Sequence, residues 1–384
     1  MASRRRQIEE LRGLLARPAT RGLFRSLLRL IQKWGGDLDG APLEYAHSIV
    51  SRWPTSVHRA MPPRWVELAL RGRAPRAALL CAHLDVSSRT LTTHLATTLA
   101  AQPSLAGLSS LKLRGEESAL RAFFARAELR ALYRLEFDGA LTDATLRDLC
   151  ASPLSRGLRH LTVGAGDLSV GAASALASGH IASSLATLAL SSNPIGDDGL
   201  TALLEDDPLP ELSSLDLADC GLSLDSVRVL ARSPARDRLI RLAMDANDLG
   251  PGAVTALIDD VPEELPLRSL SLGGVGLGDT GMCRLIASSR SEPLLSMREP
   301  WRALRGLEEL DVSHNGITDE GTSRMSSPKV FPRLRRLNMS WNLLTERGID
   351  PMARRSSWMM LERAEFVGND VYYERLQSLA FKRP

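Results

Sequence analysis

The stretch Leu307-Glu308-Glu309-Leu310-Asp311-Val312-Ser313-His314-Asn315-Gly316-Ile317 decides how this chain folds. Its large apolar residues stand at the first, fourth, sixth and eleventh places, with an asparagine at the ninth. The same spacing returns as Leu185-Leu188-Leu190-Asn193-Ile195, Leu239-Leu242-Met244-Asn247-Leu249 and Leu334-Leu337-Met339-Asn342-Leu344. Followed outward, the pattern starts at Cys81, Leu108, Leu132, Leu158, Leu185, Leu212, Leu239, Leu267, Leu307, Leu334 and Leu361. Intervals run from 24 to 28 residues, apart from one of 40 between Leu267 and Leu307. Self-similarity at such a period marks a stack of structural repeats.

Each unit reads as one strand followed by one helix. The fourth to sixth places alternate apolar and polar, so they form a short strand with its apolar side chains inward. The amide of a buried asparagine can satisfy the turn's backbone groups, a place held by Asn193, Asn247, Asn315, Asn342 and Asn369 and by Cys220 in one repeat. Arg89, Glu116, Ala140, Gly166 and Val275 stand there instead in other repeats, which predicts less regular turns near the N-terminus. Helix starts follow, as in Gly278-Asp279-Thr280-Gly281, Thr318-Asp319-Glu320-Gly321 and Thr345-Glu346-Arg347-Gly348. Threonine supplies an N-cap, the acid meets the positive helix end, and the glycine is expected to let helix approach strand. Leu203-Leu204, Val229-Leu230 and Leu257-Ile258 are expected to face the core, and Ser152-Pro153, Asp207-Pro208, Ser233-Pro234 and Ser327-Pro328 to end helices.

Strands pack about 4.8 Å apart while helices need roughly 10 Å, so such a stack curves with its sheet inside. The long helical repeat and its Thr-Asp-x-Gly segment resemble the ribonuclease-inhibitor type of leucine-rich repeat over roughly residues 81–371. The expected fold is therefore α/β: a right-handed leucine-rich-repeat solenoid, or horseshoe, with a concave parallel sheet and convex helices. The resemblance implies ligand binding on the concave face and names no ligand.

Residues 1–80 form a separate helical unit, expected to cap the first repeat, ahead of repeats over 81–384. The cap carries 15 Lys/Arg against 6 Asp/Glu, whereas the repeats carry 33 against 39. Arg17, Arg21, Arg25, Arg29 and Lys33 make a basic stripe, and Leu23, Leu27, Leu28, Leu30 and Ile31 an apolar face. Two shorter helices are predicted over Leu43–Val50 and Trp65–Leu70. Arginine accounts for 44 of the 48 basic residues along the whole chain, which favours a coding bias over phosphate recognition. The long interval inserts about 13 residues near 290–302, including Trp301. There is no apolar run of 18 residues and no apolar segment of the signal-peptide kind at the N-terminus. Four cysteines at scattered core positions read as reduced buried thiols in a cytoplasmic protein.

The chain holds no phosphate loop, zinc-protease, Cys-x-x-Cys or nucleophile-elbow motif. Its seven histidines lack metal spacing, and His83 and His160 read as solvated surface groups. Glu136/Asp138 and Glu309/Asp311 each share a strand face, which suits an acidic surface more than acid–base catalysis. The third, fifth and seventh places of each repeat should face outward from the sheet, with the eighth at the rim. Charge then collects in two groups: Asp216, Asp219, Arg241 and Asp245; and Glu309, Asp311, His314, Arg336, Asn338 and Trp341. Arg134, Glu136 and Asp138 form a smaller third group. These observations predict a monomeric, non-catalytic cytoplasmic scaffold that binds an unknown protein. No cofactor, metal or small-molecule substrate is expected, and neither nucleic acid nor membrane is the expected partner. One alternative is an adaptor that uses the basic N-terminal helices on anionic membrane or nucleic acid. A second, implied only by the resemblance, is a regulator of the GTPase-activating type.

Overall fold

The computed structural model describes residues 2–35, 37–139, 141–258, 264–289, 302–325, 330–353 and 360–371. The insertion at 290–301 with Trp301, Ala140 and the Ser327-Pro328 pair lie outside the described residues. The chain divides into two compact units: one of residues 1–163 with 179–181, the other of residues 164–178 with 182–384.

The first unit begins with four helices, α1 (Ala2–Leu15), α2 (Arg21–Lys33), α3 (Gly40–Val50) and α4 (Pro63–Leu70). Thr20 caps α2 by accepting a hydrogen bond from the Leu23 N–H at 3.0 Å, so Arg17 falls outside the helix that carries the rest of the basic stripe. The buried face of α2 is Leu23, Phe24, Leu27 and Ile31; Leu28 and Leu30, expected on it, are only half-buried. Then come β1 (His83–Asp85), α5 (Thr93–Ala100), β2 (Ser110–Leu113), α6 (Glu117–Phe124), β3 (Arg134–Phe137), α7 (Asp143–Ala151) and β4 (His160–Val163). The strands are parallel and in register, with His83 opposite Ser110, Ser110 opposite Arg134, and Arg134 opposite His160. The free side of β1 is met by the cap: Ala60 bridges His83, and the Ala82 N–H donates to the Arg59 carbonyl at 2.8 Å. A parallel bridge also joins Leu91 to Gly115 beyond the strands.

The second unit continues the alternation with α8 (Val170–Ser178), β5 (Thr187–Ala189), α9 (Gly196–Leu204), β6 (Ser214–Asp216), α10 (Leu224–Arg232), β7 (Arg241–Ala243) and α11 (Ala253–Leu257). It ends with β8 (Ser269–Ser271), α12 (Gly278–Ser288), β9 (Glu309–Asp311), α13 (Asp319–Thr322), β10 (Arg336–Asn338), α14 (Glu346–Ala353) and β11 (Arg363–Glu365). All these strands are parallel and pair third place to third place. The middle leucine of most strands is buried, for example Leu188, Leu215, Leu242, Leu270, Leu310 and Leu337. This is an α/β solenoid.

The asparagines do what their place predicted, and they do it between repeats. Asn315 accepts from the N–H groups of Val275 and Leu277 at 3.1 and 3.0 Å and donates to the Leu272 carbonyl at 2.7 Å, all in the preceding repeat. Asn342 treats Asn315, Ile317 and Val312 likewise, and Asn247 treats Cys220, Leu222 and Leu217. The acids of the helix starts also reach across repeats rather than only meeting the helix end. Asp279 accepts from the N–H and hydroxyl of Thr318 at 2.7 and 2.6 Å, and Asp319 from those of Thr345 at 2.8 and 2.6 Å. The glycine beside them serves this clamp. A Cβ at Gly321 or Gly348 would collide with the carboxylate of Asp279 or Asp319, so the glycines admit the neighbouring turn, not the strand as expected.

Two smaller expectations fail locally. Val229 is half-buried, and Val227 is buried with Leu230. Asp207 before Pro208 is not extended but left-handed, at φ 52°, because α9 has already ended at Leu204. Its carboxylate receives the Arg238 guanidinium at 2.5 Å.

Candidate functional site

The outward rows of the second unit's sheet hold the first two charge groups, and the smaller third group lies on and just beyond β3 of the first unit. Beyond each strand the sheet ladder runs on to the eighth place. The N–H of Ser192, Asp219, Ala246, Gly274, His314 and Trp341 donates to the seventh-place carbonyl of the next repeat, at 2.6–3.0 Å. That bond bends the chain into the left-handed region at every eighth place, with φ between 54° and 67° at these six residues. Glycine adopts this conformation freely, and other residues pay about 1–2 kcal/mol. Four of these places hold small or short side chains; His314 and Trp341 are bulky.

The two bulky residues are neighbours. Their rings stack with centroids 5.6 Å apart and planes 13° from parallel. On the other side the indole lies against Gly368, where a Cβ would meet its Cδ2 at 2.5 Å. Held between His314 and Gly368, the Trp341 side chain still leaves 56% of the residue exposed. Val367, in the seventh place of the last repeat, is 60% exposed and accepts the Trp341 N–H through its carbonyl. Leu343 follows at 64% exposure. Sequence reasoning missed Val367 and Leu343, although the pattern places Val367 outward. The rim is therefore apolar as well as aromatic.

The strand rows beside this rim are charged and internally paired. Strand register sets Arg336 opposite Glu309 and Asn338 opposite Asp311. Arg336 forms an ion pair with Glu309, and Asn338 Nδ2 donates to Asp311 Oδ2 at 2.7 Å. Asp311 also accepts from the N–H and hydroxyl of Ser313. Arg363 pairs with Glu365 at 2.6 Å on β11, two residues that the sequence reading did not include. These side chains line a shallow depression of about 320 Å³ running from β8 to β11. The expected second group is thus assembled as one surface.

The first group is not. Asp216 accepts from the Ala218 N–H on its own strand, and Asp245 turns toward β8, accepting from Ser271 Oγ and the Gly273 N–H at 2.6 Å each. Burial, with the nearby Asp311 charge, raises the Asp245 carboxyl above its ordinary range despite those bonds. Arg241 and Asp219 are exposed, and Asp219 meets Asp245 only through its backbone N–H on the Asp245 carbonyl. The third group reorganises too, since Glu136 pairs with Lys112 at 2.6 Å rather than with Arg134.

Two histidine readings are corrected. His83 is half-buried, not solvated: its ring lies 4.1 Å from that of His58, and burial together with His58, Arg59, Arg134 and Arg21 pushes its pKa down to about 4. His160 is half-buried against Tyr133, ring centroids 5.9 Å apart, and burial again lowers its pKa. All four cysteines are free, with Cys81, Cys150 and Cys220 buried and Cys283 half-buried, contrary to the expectation of four buried thiols. Burial pushes the Cys81 and Cys150 thiols up to about 12 and Cys220 up to about 11, far from nucleophilic thiolates. No group of three or more His, Cys, Asp or Glu suited to a metal occurs among the described residues. No helix among them is long and apolar enough to cross a membrane.

This arrangement defines a leucine-rich-repeat protein, and its repeats are of the ribonuclease-inhibitor type. A family model described as Leucine Rich repeat matches residues 182–204 and 305–325. The ribonuclease inhibitor of Sus scrofa is 30% identical over 164 residues, which are 41% of this chain and 32% of that protein. The chain thus spans about a third of that relative's length. An internalin (inlF) from Listeria monocytogenes str. 4b F2365 superposes with a TM-score of 0.44 at 16% identity, covering 80% of this chain and 81% of that one. A chain of the yeast Rad7 and Elc1 complex gives 0.45 at 15% identity, covering 84% and 94%. A chain of the TLR13–ssRNA13 complex gives 0.43 at 15% identity, covering 80% and 39%.

Proposed function

We propose that this chain is a non-catalytic cytoplasmic scaffold that binds a protein partner on the outward sheet face of its second unit. Trp341 is its anchor. The observation that carries this reading is a half-exposed tryptophan held in a backbone conformation that costs about 1–2 kcal/mol for any residue with a Cβ. Ring stacking on His314 orients the indole without burying it, which lowers the entropy lost when a partner covers it. Around it, Val367 and Leu343 supply apolar area, and Glu309, Asp311, Arg336 and Asn338 supply a polar border. Binding energy concentrates in such aromatic and arginine anchors surrounded by weaker contacts. Across the face, Asp216, Asp219, Asp245, Glu309, Asp311 and Glu365 outnumber Arg241, Arg336 and Arg363, which favours a partner with a basic border. Free, scattered thiols support a reducing compartment.

The test compares affinity capture from native lysate by the wild type and by Trp341→Ala, followed by titration of the captured partner. Trp341→Ala should weaken that partner by about 2 kcal/mol, roughly thirtyfold, with the melting temperature nearly unchanged. Alanine bears the same left-handed cost, so the stability change is the loss of the His314 stack alone, about 0.5–1.5 kcal/mol and small for a chain of this length. A mutant that melts early but keeps its affinity would make the Trp341 stack a structural support instead.

A further inference from the structure

A groove of about 560 Å³ opens between α2 and α4 in the first unit, away from the sheet. Leu28, Trp65 and Leu68 line it, with Trp65 buried and the two leucines half-buried. Arg25, Arg29, Arg64 and Arg73 line it as well, and all four are exposed. Arg25 and Arg29 are one helical turn apart on α2, so their guanidinium groups project from the same side. None of the four forms an ion pair among the described residues. The acid in the lining, Asp37, is already engaged: Oδ1 accepts from the N–H groups of Leu38 and Ala77, and Oδ2 from that of Arg76. The groove therefore combines a recessed apolar floor with an arginine rim of four positive charges against the one carboxylate of Asp37.

We propose that this groove binds an acidic peptide segment of a partner protein, with a bulky apolar side chain seated on Leu28, Trp65 and Leu68. Guanidinium groups hold carboxylates through paired, charge-assisted hydrogen bonds, and an acidic segment would supply the carboxylates this rim lacks. A bilayer does not suit the site. Membrane docking needs protruding apolar side chains, and among the described residues the exposed large apolar ones, Val170, Ile240, Trp341, Leu343, Met360 and Val367, all lie beyond residue 80. Single-stranded nucleic acid needs an exposed aromatic platform, whereas the groove's tryptophan is buried.

The full chain should be titrated by fluorescence anisotropy with a labelled twelve-residue peptide of glutamates interrupted by leucines. Matched peptides would carry serine for every leucine, or lysine for every glutamate. Separate arms would use phosphatidylcholine vesicles with and without phosphatidylserine. The glutamate–leucine peptide is expected to bind, to weaken with salt, and to lose about tenfold or more in affinity to the exposed double variant Arg25→Glu/Arg29→Glu. Leu28→Gln, at a half-buried position, should weaken the same peptide and spare the charge attraction. Equal binding by the serine peptide would reduce the site to unspecific charge attraction. Binding by the phosphatidylserine vesicles that is lost in the double variant would assign the groove to membrane instead. No peptide binding, or binding indifferent to the double variant, would overturn the proposal; circular dichroism and thermal melting confirm that each variant is folded.

Discussion

Trp341 and His314 share φ values of 59° and 55°, yet only their side chains make those values informative. The left-handed turn belongs to the repeat, because the eighth-place N–H must reach the next repeat's carbonyl. A serine, alanine or glycine there satisfies the fold; a stacked tryptophan adds nothing that the turn requires. That asymmetry supports the proposed binding surface; the leucine pattern placed both residues at the rim, but the left-handed turn and the ring stack could not be read from it. His83 gives a second prediction at this scale. Its folded pKa of about 4 lies below the ordinary 6.5, so the folded chain refuses a proton that the unfolded chain accepts. Stability from this group is therefore full above pH 6.5, declines as pH falls from 6.5 toward 4, and levels off below. His83→Gln should flatten that decline in melting temperature between pH 7 and pH 4.5. A decline equal to that of the wild type would place the acid-sensitive group elsewhere.

At the scale of the element, neighbouring turns are joined by two side-chain devices. The asparagine satisfies backbone of the preceding repeat from inside, and the helix-start aspartate grips the following threonine from outside. The first was legible in sequence, since an amide at a fixed place after an apolar strand has few other uses. The second was not: Asp319 next to Thr318 reads as a local helix end, and its reach to Thr345 depends on how repeats stack. Strand positions were legible for the same reason as the asparagine. All eleven begin at the expected place because one slip would turn every leucine outward. Asn315→Ala should leave the N–H groups of Val275 and Leu277 without their acceptor, at about 1–3 kcal/mol. Hydrogen exchange should rise first at Val275 and Leu277, before global unfolding. Asp319→Ala should cost about 1 kcal/mol and raise exchange at the Thr345 N–H. If each substitution raised exchange only within its own repeat, the inter-repeat bonds would not be the ones that matter.

At the scale of the molecule, a stack of repeats is stable only where its end turns are covered. The helical pattern of residues 1–80 leads us to propose that they cap the repeats, but it could not show how they meet β1. That junction combines side chains, namely the His58–His83 ring contact, the Arg89–Glu67 ion pair and the Gln102 amide on Ala69 and Ala74, with backbone bonds. Met61 N–H donates to the His83 carbonyl at 2.8 Å, and the Arg59 carbonyl accepts from both Ala82 and His83. Such bonds leave no trace in side-chain type, whereas the apolar helix faces that accompany them do. Without the cap, β1 would present a parallel edge with unpaired N–H and carbonyl groups beside the buried Leu80, Cys81 and Leu84. Removing residues 1–75 should therefore give a protein that self-associates in size-exclusion chromatography. Its amide exchange should accelerate first over β1 and β2, fading toward β4, because each repeat is stabilised through its neighbours. A variant that stayed monomeric with unaltered melting would instead make residues 1–80 an independent domain, and the basic groove between α2 and α4 would then act without the repeats behind it.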